Sequence, residues 1–248
     1  MSKAQNKQIK LNLPISSTHK LLKFCYFIMA VLLCACGNNT SEKSTQETSI
    51  TDQNEMSVDE ANDSKTILCF GDSITAGYGL DDSEDAFPGL IQQKIDSLDL
   101  NYTVVNSGVS GETTAGGKSR IAWVLNQPIS IFLLELGAND GLRGVPLSET
   151  RDNLQAIIDK VQRKSPETTI ILAGMELPPN MGQDYTSEFR AMYSQLAEKN
   201  DVEFIPFILK DVGGIAELNQ GDGIHPTVEG HKIVANTVWK TLESLISL

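Results

Sequence analysis

Basic residues are scarce in this 248-residue chain: 20 Lys plus Arg face 32 Asp plus Glu, for a net charge of −12. So acidic a surface excludes a nucleic-acid partner, which needs a positive footprint to displace counterions from phosphate. Cysteine is almost missing from the body of the chain. Cys25, Cys34 and Cys36 all fall near the start, and Cys69 stands alone beyond them in an apolar strand pattern. That leaves no internal disulfide, and a buried lone Cys behaves as a small hydrophobe rather than a thiol nucleophile. Long apolar runs are also missing. Phe24 to Ala35 is unbroken for 12 residues, whereas a membrane-spanning helix needs about 20. The chain has no internal repeats. What remains is ordinary: 40% apolar residues allow a real core and exclude wholesale disorder.

The first segment reads as an address. Residues 1–23 carry Lys3, Lys7, Lys10, Lys20 and Lys23 with no acid, and the 12-residue apolar run follows. A basic stretch, a short apolar core and a small residue before a processing point make a secretory signal, the alternative being a short uncleaved anchor. Leu33-Cys34-Ala35-Cys36-Gly37 resembles the lipobox of bacterial lipoproteins, with Cys36 at the lipidated position. By that resemblance residues 1–35 are a signal peptide, Cys36 anchors the protein to a membrane, and Gly37 directs it to the outer membrane of a bacterial envelope. The processed chain would carry 15 basic against 32 acidic residues, a net charge of −17. Residues 36–65 hold the acylated Cys and a polar stretch with seven acids and only Ile50, Met56 and Val58 as large apolar residues. Such a stretch cannot bury enough to offset its ordering entropy, and it reads as a flexible acidic tether.

Residues 66–248 alternate two patterns. Ile67–Phe70, Val104-Val105, Ile129–Leu136, Thr169–Ala173 and Phe204-Ile205 are continuous apolar runs, as expected of parallel strands buried on both faces. Between them lie helix-like stretches at Phe87–Leu98, Thr113–Leu125, Leu147–Lys164 and Tyr185–Lys199. A last helix carries Val234, Val238, Leu242 and Leu245 on one stripe, with Pro226 expected at its first position. The alternation predicts an α/β fold of three layers, α/β/α, around a parallel sheet of about five strands. In such folds ligands sit beyond the carboxyl ends of the strands.

Those ends carry chemistry. Gly71-Asp72-Ser73 follows the first strand, Asn106-Ser107-Gly108-Val109-Ser110-Gly111-Glu112-Thr113 the second, Gly137-Ala138-Asn139-Asp140 the third, and Asp222-Gly223-Ile224-His225 precedes the last helix. Ser73 is the candidate nucleophile. A free serine is weak without an adjacent base. His225 precedes a Pro in a loop, so its backbone is extended and its ring can project toward Ser73. His231 falls inside the last helix on its core side and reads as structural. Asp222, three residues before His225, can fix its tautomer and stabilise its cation. Donors for a developing oxyanion are the N–H groups of Ser73 and Gly108 and the side chain of Asn139.

In these blocks the chain resembles the SGNH, or GDSL-type, hydrolases, with all four signature segments in order. Gly-Asp-Ser-Ile-Thr-Ala-Gly-Tyr-Gly at 71–79, Glu-Leu-Gly-Ala-Asn-Asp-Gly-Leu-Arg-Gly at 135–144 and Leu-Pro-Pro-Asn at 177–180 are similar to the acyl-CoA thioesterase/lysophospholipase/arylesterase branch. Ile74 stands where the family name implies Leu. The resemblance implies a flavodoxin-like sheet and a serine esterase that cleaves carboxylic esters or thioesters through an acyl-enzyme, without cofactor or metal. It makes Ser73, Asp222 and His225 catalytic, gives Ser73, Gly108 and Asn139 the oxyanion hole, and leaves Asp72 and Asp140 to hold their loops locally. It also implies that Gly141–Gly144 is a loop bordering the acyl groove, so that Leu142 and Arg143 touch substrate. The partners implied are a small acyl ester or thioester and, through Cys36, a membrane. Two alternatives remain: a carbohydrate or peptidoglycan O-acetyl esterase, and an inactive surface binding module on the same fold.

Three other patterns fail. Gly116-Gly117-Lys118-Ser119 mimics the end of a P-loop, but Glu112 occupies the position that motif reserves for Gly. The Gly-x-Ser-x-Gly elbow is absent. Asp222, His225 and His231 lack a paired ligand set for a metal.

Overall fold

In a computed structural model, which describes residues 64–246, the strand patterns build one parallel five-stranded sheet. The proposed signal, Cys36 and most of the acidic tether lie outside the described residues. The strands are β1 (Lys65–Gly71), β2 (Tyr102–Gly108), β3 (Ile131–Glu135), β4 (Thr169–Ala173) and β5 (Glu203–Ile205), in spatial order β2-β1-β3-β4-β5. This is the flavodoxin-like order, and its direction reverses between β1 and β3, where a crevice opens for a ligand. All five residues of β3 are buried and the last five of β1 are too, as the continuous apolar runs predicted.

The edge strands depart from the sequence reading. β2 is longer than its Val104-Val105 core suggested, because its free edge is capped by a side chain. Gln92 Oε1 accepts the Val104 N–H at 2.6 Å, and its Nε2 donates to the Tyr102 carbonyl at 3.3 Å. An amide thus stands in for the missing neighbour strand.

Among the described residues seven α-helices flank the strands: α1 (Ser73–Ala76), α2 (Phe87–Ser97), α3 (Thr114–Val124), α4 (Ala138–Leu142), α5 (Leu147–Lys164), α6 (Gln183–Asn200) and, after β5, α7 (Val228–Leu242). α2 packs against α7, while α3, α5 and α6 pack in series, giving the three layers. No helix among the described residues is long and apolar enough to cross a membrane. Pro226 is not the first residue of α7. Thr227 is the N-cap, its side chain accepting from the Gly230 N–H, and Pro226 lies just outside. The P-loop look-alike lies on α3, where a Cβ on Gly117 would meet Leu136 and Phe70. Gly117 serves close helix–sheet packing, and Lys118 donates to Asn153 Oδ1 at 3.0 Å.

His231 is buried, as expected of a structural residue. Its Nδ1 accepts the Phe87 N–H at 3.2 Å, while its Nε2 meets no partner. Burial, and secondarily the charge of His225, lowers its pKa to about 4. Protonating Nδ1 would destroy the bond to Phe87. The folded state therefore binds this proton less readily than the unfolded chain, and stability falls with pH between about 6.5 and 4. We expect a loss on the order of 3 kcal/mol across that window in denaturant titrations, and a shallower loss in His231→Gln.

Candidate active site

The register of the sheet sets Gly71 beside both Gly108 and Glu135, so the ends of β1, β2 and β3 open onto one edge. Just beyond β1, Asp72 caps α1: its Oδ1 accepts the Ile74 N–H at 3.0 Å. That cap turns the chain sharply and leaves Ser73 at the helix start, with its side chain facing the crevice.

Asp222 and His225 arrive from the far end of the chain. The segment before α7 is tied down by Gln220, whose N–H donates to the His225 carbonyl at 2.7 Å. Its side-chain Nε2 donates to the carbonyls of Tyr78, at 2.7 Å, and Pro226, at 3.0 Å. Gln220 therefore links the histidine loop to the turn after α1. Ser73 Oγ lies 2.9 Å from His225 Nε2, and His225 Nδ1 lies 2.6 Å from Asp222 Oδ2. Asp222 Oδ1 accepts the N–H groups of Ile224 and His225 at 3.0 and 3.1 Å. The bond from the His225 ring, then that from Ile224, holds the Asp222 carboxyl down to about 2. It stays ionised, helped by its exposure to water. The Tyr78 ring covers His225 with centroids 4.7 Å apart.

A cavity of about 730 Å³ opens over these groups, lined by Ser73, Asn139, Gly111 and His225 and by apolar side chains including Leu142, Met175, Leu177 and Phe207. Gly108 is not part of it. Its N–H donates to Asn106 Oδ1 at 3.0 Å, and a Cβ there would meet Ala76 N and the Asp72 carbonyl. Gly108 lets α1 approach β2 and cannot be the oxyanion donor expected of it. The glycine that lines the cavity is Gly111, three positions later, and it donates its N–H to no acceptor among the described residues. Its φ of +77° favours glycine. The segment 108–111 carried both glycines, and their spacing alone did not say which would face the crevice.

Asn139 reaches the site from α4, but both hydrogens of its Nδ2 are engaged, with Asp72 Oδ2 at 3.1 Å and the Glu112 carbonyl at 3.0 Å. Asp72 is thus more than a local loop clamp. Asp140 is not local at all: it accepts the Thr114 N–H at 2.8 Å and the Thr114 hydroxyl, joining α4 to α3 across the sequence. Leu142 lines the cavity as expected, but as the last residue of α4 rather than in a loop. Arg143 does not line it. Its Nη2 donates to the Gly111 carbonyl at 3.0 Å and approaches Asn139 Oδ1 at 3.4 Å, bracing both groups. Cys69 is buried in β1, and burial, then Glu135, pushes its thiol up to about 12, so it is no nucleophile.

A hydroxyl, an imidazole and a carboxylate in hydrogen-bonded series at the carboxyl edge of a parallel sheet define a hydrolase of the serine type. Residues 69–233 match the GDSL-like lipase/acylhydrolase family, and the chain belongs to it. It is 36% identical over 183 residues to esterase TesA of Pseudomonas aeruginosa, a match covering 73% of this chain and 90% of that protein. It is also 36% identical over 183 residues to thioesterase 1/protease 1/lysophospholipase L1 of Escherichia coli, covering 73% of this chain and 85% of the relative. A crystal structure of TesA superimposes with a TM-score of 0.70 at 35% identity, covering 73% of this chain and all of that one.

The Gly108 packing is testable. Gly108→Ala is expected to cost about 1–3 kcal/mol of stability by overpacking α1 against β2. Gly111→Ala, whose added Cβ would meet nothing nearer than Arg143 at 3.7 Å, is strained only by its φ of +77°, at about 1–2 kcal/mol, and is expected to lose more kcat than Gly108→Ala. Thermal denaturation beside an ester assay checks the order.

Proposed function

We propose that this protein is a serine esterase that cleaves carboxylic esters and thioesters through an acyl-enzyme. The observation that carries the reading is the unbroken series from Ser73 Oγ to His225 Nε2, at 2.9 Å, and from His225 Nδ1 to Asp222 Oδ2, at 2.6 Å. Neutral His225 takes the Ser73 proton as Oγ attacks the acyl carbon, and the ionised Asp222 holds the ring in the required tautomer and stabilises the cation. The developing oxyanion takes hydrogen bonds from the N–H groups of Ser73 and Gly111 and from Asn139 Nδ2. At Asn139 it competes with Asp72 and the Glu112 carbonyl. Arg143 acts from behind, holding the Gly111 carbonyl in the next peptide and so limiting how far the backbone at Gly111 can turn. The protonated His225 then hands its proton to the leaving alcohol or thiol. A water activated by the same ring attacks the acyl-enzyme and releases the acid.

The apolar walls built by Leu142, Met175, Leu177, Pro178, Phe207 and Ile224 suit an acyl chain better than the polyhydroxylated face of a sugar. They favour an arylesterase, thioesterase or lysophospholipase range of substrates over a carbohydrate O-acetyl ester. The names of the relatives, an esterase and a thioesterase/lysophospholipase, support the same range.

Attachment to a bacterial outer membrane through acylated Cys36 is part of the reading, supported by Leu33, Ala35 and Gly37 around it. Cys36→Ser is expected to move the protein from the membrane to the soluble fraction and to lower its mass by the acyl groups. Unchanged fractionation and mass would sink the anchor while leaving the esterase intact.

The triad is tested on a short p-nitrophenyl ester. Asp222→Asn is expected to lower kcat by roughly 10–10³-fold, since it can favour the wrong tautomer while the ring keeps other restraints. His225→Ala should be slower still, and the double variant little slower than His225→Ala, because the pair acts as one unit. Multiplicative losses would mean that another group is the base.

A further inference from the structure

Glu135 ends β3 and is buried, 1% exposed, yet the acyl-transfer steps do not use it. Its Oε2 accepts the Asp72 N–H at 3.2 Å and the Thr75 hydroxyl at 2.7 Å, so it grips the turn that carries Ser73 from below. Its Oε1 is equally buried and meets no N–H or O–H donor. A carboxylate oxygen so placed would be left without a partner, whereas an O–H there needs only an acceptor. The acceptor at hand is the Asp72 carboxyl, which lies within hydrogen-bonding reach of Glu135. Asp72 is buried too, and its remaining bonds are all from donors: Ile74 N–H to Oδ1 and Asn139 Nδ2 to Oδ2. Two acids buried side by side do not both ionise.

We propose that Glu135 and Asp72 share one proton, with Glu135 the carboxylic acid that donates to the Asp72 carboxylate, and that this pair positions Asn139 for the oxyanion. The positioning role rests on the esterase reading; the shared proton does not.

The surroundings assign the proton to Glu135. Burial is the largest cause raising either acid, and for Glu135 the Asp72 charge comes next, pushing it well up. Asp72 is raised less, to about 6, because the Ile74 N–H, the charge of His225 and the Asn139 amide favour its ionised form. The other groups facing the pair are Cys69 on β1 and Tyr193 on α6. Burial holds Cys69 and Tyr193 protonated. The Tyr193 hydroxyl donates instead to the Leu136 carbonyl, at 3.0 Å. No cation among the groups acting on Glu135 offsets a charge there, while Asp72 has His225 across the site. An ionised Asp72 then gives Asn139 a charge-assisted acceptor that fixes which way its amide points. When the oxyanion draws that N–H away, Asp72 keeps its bond from Glu135 and stays compensated.

The direct test is infrared spectroscopy of the full chain at neutral pH. The wild type is expected to show the carbonyl stretch of a protonated carboxylic acid, shifted in D₂O, and Glu135→Gln is expected to lack it. The same variants are assayed on p-nitrophenyl acetate. Gln can still donate to Asp72 and accept from Asp72 N–H and Thr75, so kcat should stay within about threefold. Glu135→Ala removes both functions and should lose about 10–10² in kcat with KM little changed. Absence of the band in the wild type, its survival in Glu135→Gln, or a Glu135→Gln enzyme as slow as Glu135→Ala would overturn the proposal. Should Glu135→Ala not fold, the band and the Glu135→Gln kcat still decide it. A wild type with the band but no esterase activity would sink the proposed activity and leave the proton pair standing.

Discussion

The parallel register of β1 against its two neighbours is the constraint on which the site depends. Because Gly71 pairs with Gly108 on one side and Glu135 on the other, three strands end level, and three short connections must turn over the same edge. Each turn delivers one group: the Ser73 hydroxyl, the Gly111 peptide and the Asn139 amide. A shift of one residue in either pairing would flip the side chains to the other face and break up the set. The reversal of winding between β1 and β3 supplies the space above it, since their helices leave in opposite directions.

Acid groups do much of the positioning, and their surroundings separate their roles. Asp222 sits at the wet rim with three donors on its oxygens and stays charged, so it can face an imidazolium. Asp140 is buried and spends its oxygens on Thr114, joining α4 to α3. Asp72 and Glu135 are buried together under the turn that carries Ser73. Among neighbouring bases, Arg120 is committed to structure. It pairs with Glu112 at 2.6 Å and lies over the Phe70 ring at 3.9 Å. That leaves the Glu112 carbonyl firmly placed to receive Asn139.

Much of this was legible in the chain. Continuous apolar runs marked β1, β3 and β4 because strands covered on both faces have no polar side. The edge strand β2 was read too short, because half of it faces Gln92 and solvent rather than a core. Ser73, Asn139, Asp222 and His225 could be found by residue type and by their place after strands or before a helix. Gly108 was the wrong glycine of a pair, since spacing counts residues but does not say which peptide faces the crevice. Arg143 was expected against substrate and instead braces Gly111, because the chain bends back at the end of α4. Gln220 belonged to no motif, and Glu135 opened the block at 135–144 with no role attached to it. Their importance lies in partners 142 and 63 residues away.

The sequence by itself determined the fold class and the kinds of chemistry present. Periodicity and residue type are local, and the alternation of buried strands with amphipathic helices admits few other architectures. Tertiary structure alone decided which donors face the crevice, which are spent on the protein, and which carboxyl keeps a proton. Those properties depend on distances of about 3 Å between groups far apart along the chain, and on the water excluded around them. No local pattern encodes either.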